Sequence, residues 1–358
     1  MVFRILATSV VALCLLAPAT AAQEQKGVGS KPPKLVDVEW MRGRPLKQFK
    51  RGTTYMLYFW ATTARNCGRT VPLLEQVRDQ HKKKRVELIG INIWARSALM
   101  PAETFLEKRE EFMDFPIARD PHGKTAKTWD KLVGLPSVPR VVIIDNKGLI
   151  AWSGHPFDGV DVALEAILAR DEAALSELVS ARKALHESAD ELADTINKSW
   201  KYKWWHKAPD QIDELIELDR RMYGTWAGRK YEALVLGGKH EKAATYGREI
   251  LDTELVTCEA MLNELAWFIV DPKGDVEDDT RDVELALRTA RWANELSRGR
   301  DSSVLDTLAR AHYASGDHKS AVSYQQQAVK EAFSSEDRAA LERTLKEYES
   351  DHQATDTP

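Results

Sequence analysis

A chain of 358 residues with 43% hydrophobic and 30% charged residues can bury substantial cores, and two domains are expected rather than one. Its formal net charge of -4 is small for that size, so composition argues neither for a nucleic-acid groove nor for overall attraction to an acidic membrane. Nucleic acid is not an expected partner.

The N-terminal stretch "MVFRILATSVVALCLLAPATAAQEQ" has an early cation, Arg4, an apolar run from Ile5 to Ala17, a break at Pro18 and small residues at Ala19, Ala21 and Ala22. That pattern reads as a secretory signal peptide over residues 1–22, with no membrane span expected once it is removed. Cys14 leaves with the signal, so Cys67 and Cys258 are the cysteines of the mature chain, in a compartment where disulfides persist. Their spacing alone does not decide whether they pair, stay apart or meet partner thiols.

Residues 23–34, "QEQKGVGSKPPK", are rich in glycine, proline and polar residues and read as a flexible lead-in. "TTYMLYFWA" (53–61) and "RVELIGINIWA" (85–95) carry β-branched and aromatic runs, and "VPLLEQVRDQHKKK" between them has apolar residues at helical intervals, so strand, helix, strand is expected. A helix follows at "AETFLEKREEFM" (102–113). "RVVIIDNKGLIAWSG" (140–154) has two apolar runs about a turn at Asn146 to Gly148, which predicts a β-hairpin. "VDVALEAILA" (160–169) completes the first domain as an amphipathic helix.

Beyond about residue 170 strand signals cease and alanine, leucine, glutamate and arginine recur with helical period, which predicts an all-helical second domain. Residues 171–207 read as a long connecting helix ending in "SWKYKWWHK", whose Trp200, Trp204 and Trp205 suit packing between domains, while an exposed subset would mark a docking site. Small residues at Ala243, Ala286 and Ala321, followed seven positions later by Ile250, Ala293 and Ala328, allow paired helices to approach closely. "LDTLARAHYASGDHKSAVSYQQQA" resembles a tetratricopeptide repeat, with "LNELAWF" (262–268) as the first helix of the preceding unit. The helical domain is expected over 208–345 and a disordered tail over 346–358.

The stretch "YFWATTARNCGRTVP" (58–72) carries the chemistry. It resembles the "FWATWCxxC…P" turn of TlpA-type thiol-disulfide oxidoreductases and redoxins, with Trp60, Ala61, Thr62, Cys67 and Pro72 in place. "GLPSVPRVVIID" resembles the family segment that holds a cis-proline, and its spacing to Asp145 selects Pro139 rather than Pro136. The resemblance covers residues 35–170 and implies an α/β thioredoxin-like domain, a central mixed sheet flanked by helices, ahead of the all-α helical-repeat domain. It also implies a substrate strand held by backbone at Val138 and Pro139 and by the turn Trp60, Thr63, Ala64, Arg65 and Asn66.

Three residues depart from the family pattern. Ala64 stands where the attacking cysteine belongs, Thr63 replaces a tryptophan, and Tyr58 stands where thioredoxin itself has a buried aspartate. Without the first thiol, no dithiol exchange cycle runs at this turn. Cys67, at the resolving position, is read either as an inert packing cysteine or as a single reactive thiol stabilised by Arg65 and Arg69, in a one-cysteine peroxidase or mixed-disulfide carrier. His122, His155, His206 and His312 have no metal-ligand spacing, Glu110 and Glu111 and the run Lys82 to Arg85 read as solvated, and no cofactor or metal is expected. The expected partner is an exported protein or peptide, thiol-bearing in the second reading.

Overall fold

The computed structural model describes residues 26–62, 64, 67–94, 101–108, 113–135 and 137–355; the signal-peptide segment 1–22 lies outside them. The first half is a six-stranded mixed sheet. Its strands are β1 (Glu39–Arg42), β2 (Thr54–Trp60), β3 (Val86–Asn92), β4 (Ile117–Arg119), β5 (Arg140–Ile144) and β6 (Ile150–Gly154). Their order across the sheet is β1-β4-β3-β2-β5-β6. β2 runs parallel to β3 and antiparallel to β5. Every residue of β2 is buried, which is why its sequence is a continuous apolar and aromatic run rather than an alternating one.

Side chains alternate across the sheet to build two cores. Met56, Tyr58 and Trp60 face one side with α1 (Cys67–Gln80) and α4 (Val160–Ala169), and Tyr55, Leu57 and Phe59 face the other with α3 (Lys124–Val133). The short α2 (Ala102–Lys108) covers the first face. Between β5 and β6 the Asp145 carboxylate accepts from the backbone of Lys147 and Leu149 and shapes the turn of the expected hairpin.

The lead-in is not flexible from Lys26 onward. Gly29 donates to the Ile150 carbonyl, Ile150 donates back to Ser30, and Val28 packs on the sheet core. Satisfying the polar backbone at the start of β6 outweighs the low apolar content of this segment.

After Ala169 every regular element among the described residues is helical. α5 (Glu172–Lys201) bridges the halves: Leu175, Leu178 and Val179 pack on the sheet core, while Ala189 and Ile196 pack with Ile212 and Leu215 of α6 (Ala208–Leu218). Gly159 permits the approach. It has φ +89°, and a Cβ there would stand 3.0 Å from Leu178 Cδ1. After the short α7 (Arg220–Tyr223) come α8 (Ala227–Leu236), α9 (His240–Glu249), α10 (Glu259–Val270), α11 (Val283–Leu296), α12 (Ser302–Ala314), α13 (His318–Glu331) and α14 (Ser335–Thr355). Ala243, Ala286, Ala293, Ala321 and Ala328 are all buried between them.

Two expectations are corrected here. The tail from residue 346 continues α14 as far as Thr355, because Tyr348 is buried and stacks on Tyr313 with ring centroids 4.6 Å apart. Trp200 and Trp205 pack against each other inside the helical half rather than between domains, and Trp204 is exposed.

Candidate active-site turn and the interface behind it

β2 ends at Trp60, and α1 begins at Cys67. The intervening turn starts with Ala64 N–H donating to the Ala61 carbonyl at 3.1 Å. Thr63, Arg65 and Asn66, and the side chain of Cys67, lie outside the described residues. Trp60 is a core residue: it is fully buried, with its ring centroid 5.5 Å from that of Phe105. Ala64 is half-buried and packs on the same core, so position 64 presents a methyl group and no nucleophile.

The Val138–Pro139 peptide is cis, at the proline that the spacing to Asp145 selects; Pro136 lies outside the described residues. Arg140, next in sequence, pairs with Phe59 of β2, so register brings the Val138–Pro139 loop beside the end of β2 and the start of the turn. Pro139 is buried and Val138 half-buried. Beneath the first turns of α1, the buried Tyr58 hydroxyl shares a 3.0 Å hydrogen bond with Thr70. A phenol–hydroxyl pair thus stands where the resemblance implies a buried aspartate in thioredoxin itself.

Arg69 takes a role that its position near Cys67 does not suggest. Its Nε donates to Thr257 Oγ1 at 3.2 Å, its Nη2 donates to the Arg221 carbonyl at 3.1 Å, and its guanidinium lies 5.1 Å from the Phe157 ring centroid. α1 is thereby tied to the helical half, and the residue after Thr257 is Cys258, the N-cap of α10. Cys258 is buried, and desolvation pushes its thiol pKa up despite a backbone hydrogen bond from Met261 and the positive charge of Arg69. Such a thiol is protonated and poorly nucleophilic at neutral pH.

A second cluster joins the same two regions. The turn Pro156–Asp158 is capped reciprocally: His155 Nδ1 accepts from Phe157 N–H at 3.1 Å, and His155 N–H donates to Asp158 Oδ2 at 2.9 Å. Asp158 Oδ1 also accepts from Arg182 Nε at 3.1 Å and contacts His186 Nε2 at 2.8 Å, both on α5. Arg182 reaches on to Asp219 at 2.7 Å, and the Tyr223 hydroxyl lies 3.3 Å from His186 Nδ1. Although desolvation opposes it, hydrogen bonding and charge from His186 with charge from Arg182 hold Asp158 below the usual carboxylate range. The hydrogen bond to Asp158 raises His186, and burial lowers His155 to about 4. No sequence motif announced this cluster, although "GHPFD" (154–158) falls within the segment that resembles the family.

His312 stacks on Tyr324 with centroids 5.2 Å apart, and its Nδ1 is 3.1 Å from Asp317, a packing arrangement. Among the described residues no group of three or more His, Cys, Asp or Glu is placed to hold a metal ion.

Residues 52–150 match a protein family described as thioredoxin-like. The chain carries a thioredoxin-like domain. Among curated relatives, protein FixW of Rhizobium leguminosarum is 26% identical over 204 residues, 54% of this chain and 91% of FixW. Thiol-disulfide oxidoreductase ResA of Bacillus thuringiensis subsp. konkukian is 27% identical over 130 residues, 36% of this chain and 69% of ResA. Among solved structures, StoA from Bacillus subtilis aligns with 21% identity and a TM-score of 0.28, covering 34% of this chain and 90% of StoA. The matched residues run from just before β2 to the first residue of β6 and include α1 and the cis-proline loop, and the helical half lies beyond them.

Proposed function

We propose that this chain is an exported, thioredoxin-like polypeptide-binding protein that does not turn over disulfides as a dithiol enzyme. The observation that carries the reading is Ala64, a half-buried methyl at the position of the attacking thiol in a turn otherwise framed by Trp60, Cys67 and Pro139. The relatives named thiol-disulfide oxidoreductase support common descent with such enzymes. Backbone donors and acceptors at Val138 and the turn survive the loss of a thiol, and an extended peptide needs only those to add on. The N-terminal signal pattern supports export, and the tetratricopeptide-like helices supply a further docking surface.

The test is disulfide reduction by the purified chain. Wild type shows no turnover above free thiol, whereas Ala64→Cys restores it; turnover by wild type at the rate of the Ala64→Cys variant overturns the reading.

A second reading, single-thiol chemistry at Cys67, is favoured by one observation: Cys67 is the first residue of α1, where the positive end of the helix stabilises a thiolate. In a Cys258→Ser background, alkylation of Cys67 well below the free-cysteine pKa of about 8.5 supports it, and reaction only after denaturation rules it out.

A further inference from the structure

The turn between α5 and α6 is unlike the rest of this mildly acidic chain. Residues 198–207, "KSWKYKWWHK", contain Lys198, Lys201, Lys203 and Lys207 and no acidic residue. Two layers divide its aromatic residues. In the inner layer Trp200 and Trp205 meet edge to face with centroids 5.3 Å apart, and the Arg229 guanidinium lies 4.3 Å from the Trp200 centroid. Gly237, in the α8–α9 turn, lies against this layer: a Cβ there would come within 3.0 Å of Trp205 Cβ.

The outer layer faces solvent. Tyr202 is 54% and Trp204 41% exposed, and their rings stack at 5.1 Å. Lys201 Nζ lies 5.4 Å from the Tyr202 centroid, and Lys207 Nζ lies 4.7 Å from that of Trp204. The backbone holds this tip rigidly: Tyr202 N–H donates to Lys198, Trp204 N–H donates to the Ser199 carbonyl at 2.8 Å, and Lys203 adopts φ 55° to turn the chain. Residues 201–204 and 206–207 are all exposed, so solvent reaches the whole outer layer.

We propose that this tip, through Tyr202, Trp204, Lys201, Lys203 and Lys207, docks the protein peripherally on an anionic phospholipid surface. Three observations favour a lipid surface over a peptide or small molecule. Every residue from 201 to 207 except Trp205 is exposed, whereas small ligands are held in sites that bury most of their surface. Its two outer aromatics are the types with an apolar ring and a polar N–H or O–H, which settle at the membrane–water boundary. Its cations flank those rings, where lipid phosphates meet them as the rings enter the headgroup layer. Because the inner layer already fixes the tip, docking orders little new structure. The whole-chain charge conceals this local complementarity, and among the described residues no helix is long and apolar enough to span a membrane.

The experiment is co-sedimentation of the chain from Gln23 onward, which keeps every described residue and omits the apolar N-terminal run, itself able to bind vesicles. Vesicles of phosphatidylcholine are compared with vesicles that also contain about 30% phosphatidylglycerol. Wild type sediments with the anionic vesicles and is released by high salt. With each lysine worth about fivefold, Lys201→Gln, Lys203→Asn and Lys207→Gln together weaken partitioning by roughly a hundredfold. Tyr202→Ser with Trp204→Ser weakens it at least tenfold, whereas Trp292→Ser, at an equally exposed tryptophan of α11, leaves it unchanged. No binding by wild type, equal binding to neutral vesicles, undiminished binding by the lysine variant, or binding to a soluble polyanion such as heparin without vesicle binding would each overturn the proposal.

Discussion

The sheet half and the helical half are packed by opposite means. In the sheet half, large side chains fill the space: Trp60, Trp129, Trp152, Tyr55, Tyr58 and Phe59 are among its fully buried groups. In the helical half, the recurring buried positions are alanines, Ala243, Ala286, Ala293, Ala321 and Ala328, which let helix backbones come together. One core is sensitive to lost volume and the other to added volume. Between them the apolar packing of α5 on the sheet core is joined by the ion pairs of Arg182 with Asp158 and Asp219 and by the hydrogen bonds of Arg69, which leaves the helix that begins at Cys67.

That contrast can be broken by substitution. Leu57→Ala, in the middle of fully buried β2, should destabilise the sheet half by about 4 kcal/mol, read as a lower urea midpoint of the transition that exposes its tryptophans. Arg182→Met should follow at about 3 kcal/mol, because it strands the mostly buried Asp158 and Asp219 carboxylates without their shared cation. Its signature is separation of one unfolding transition into two and faster proteolysis within α5; a single unshifted transition would show that the interface couples nothing. Ala286→Leu should lower stability by about 2 kcal/mol through overpacking between helices, read as a lower midpoint of the single transition, and in the Arg182→Met background it should move the helical transition and leave the sheet transition in place.

The smallest expected effects are in pH. His155 is held at about 4 when folded, below its ordinary 6.5, so the unfolded chain binds the extra proton first. Stability on this account is present above 6.5 and lost as pH falls towards 4, because a protonated Nδ1 no longer accepts from Phe157. His155→Asn, which keeps a capping acceptor, should flatten that loss in urea midpoints measured across pH. His186 acts in the opposite sense. Its folded pKa is raised by Asp158, so its contribution is full below 6.5 and fades as pH rises through the raised value; an NMR titration of its ring showing no upward shift would remove this contribution.

Much of the fold was legible in local pattern. The runs at Thr54–Trp60, Val86–Asn92, Arg140–Ile144 and Ile150–Gly154 are long and apolar because both faces of the sheet are covered. β1 and β4 were not legible, since four and three residues are too few for a period to register. The lead-in was misread because its order comes from backbone hydrogen bonds to β6, which leave no mark in side-chain composition. The tail was misread because the part of α14 beyond residue 346 is anchored through Tyr313, which stacks on Tyr348 and donates to Asp351, a partner far back along the chain. In the candidate site, the cis peptide before Pro139 was implied by the family resemblance, with the spacing to Asp145 choosing the proline, whereas the engagement of Arg69 was not. Its partners, Arg221 and Thr257, lie 152 and 188 positions away.

By itself the sequence determined an α/β half followed by an all-helical half, because periodicity and turn chemistry are local properties, and its resemblance to a known family supplied the thioredoxin-like frame in which Ala64 stands at the place of a thiol. Only the tertiary structure decided that Arg69 serves the interface, that Asp158 gathers Arg182 and His186, that Cys258 is buried beside α1, and that Trp204 is exposed while Trp200 and Trp205 are not. Those outcomes depend on which distant groups satisfy one another's charge, hydrogen bonds and surface, and such long-range complementarity has no repeat along the chain from which to read it.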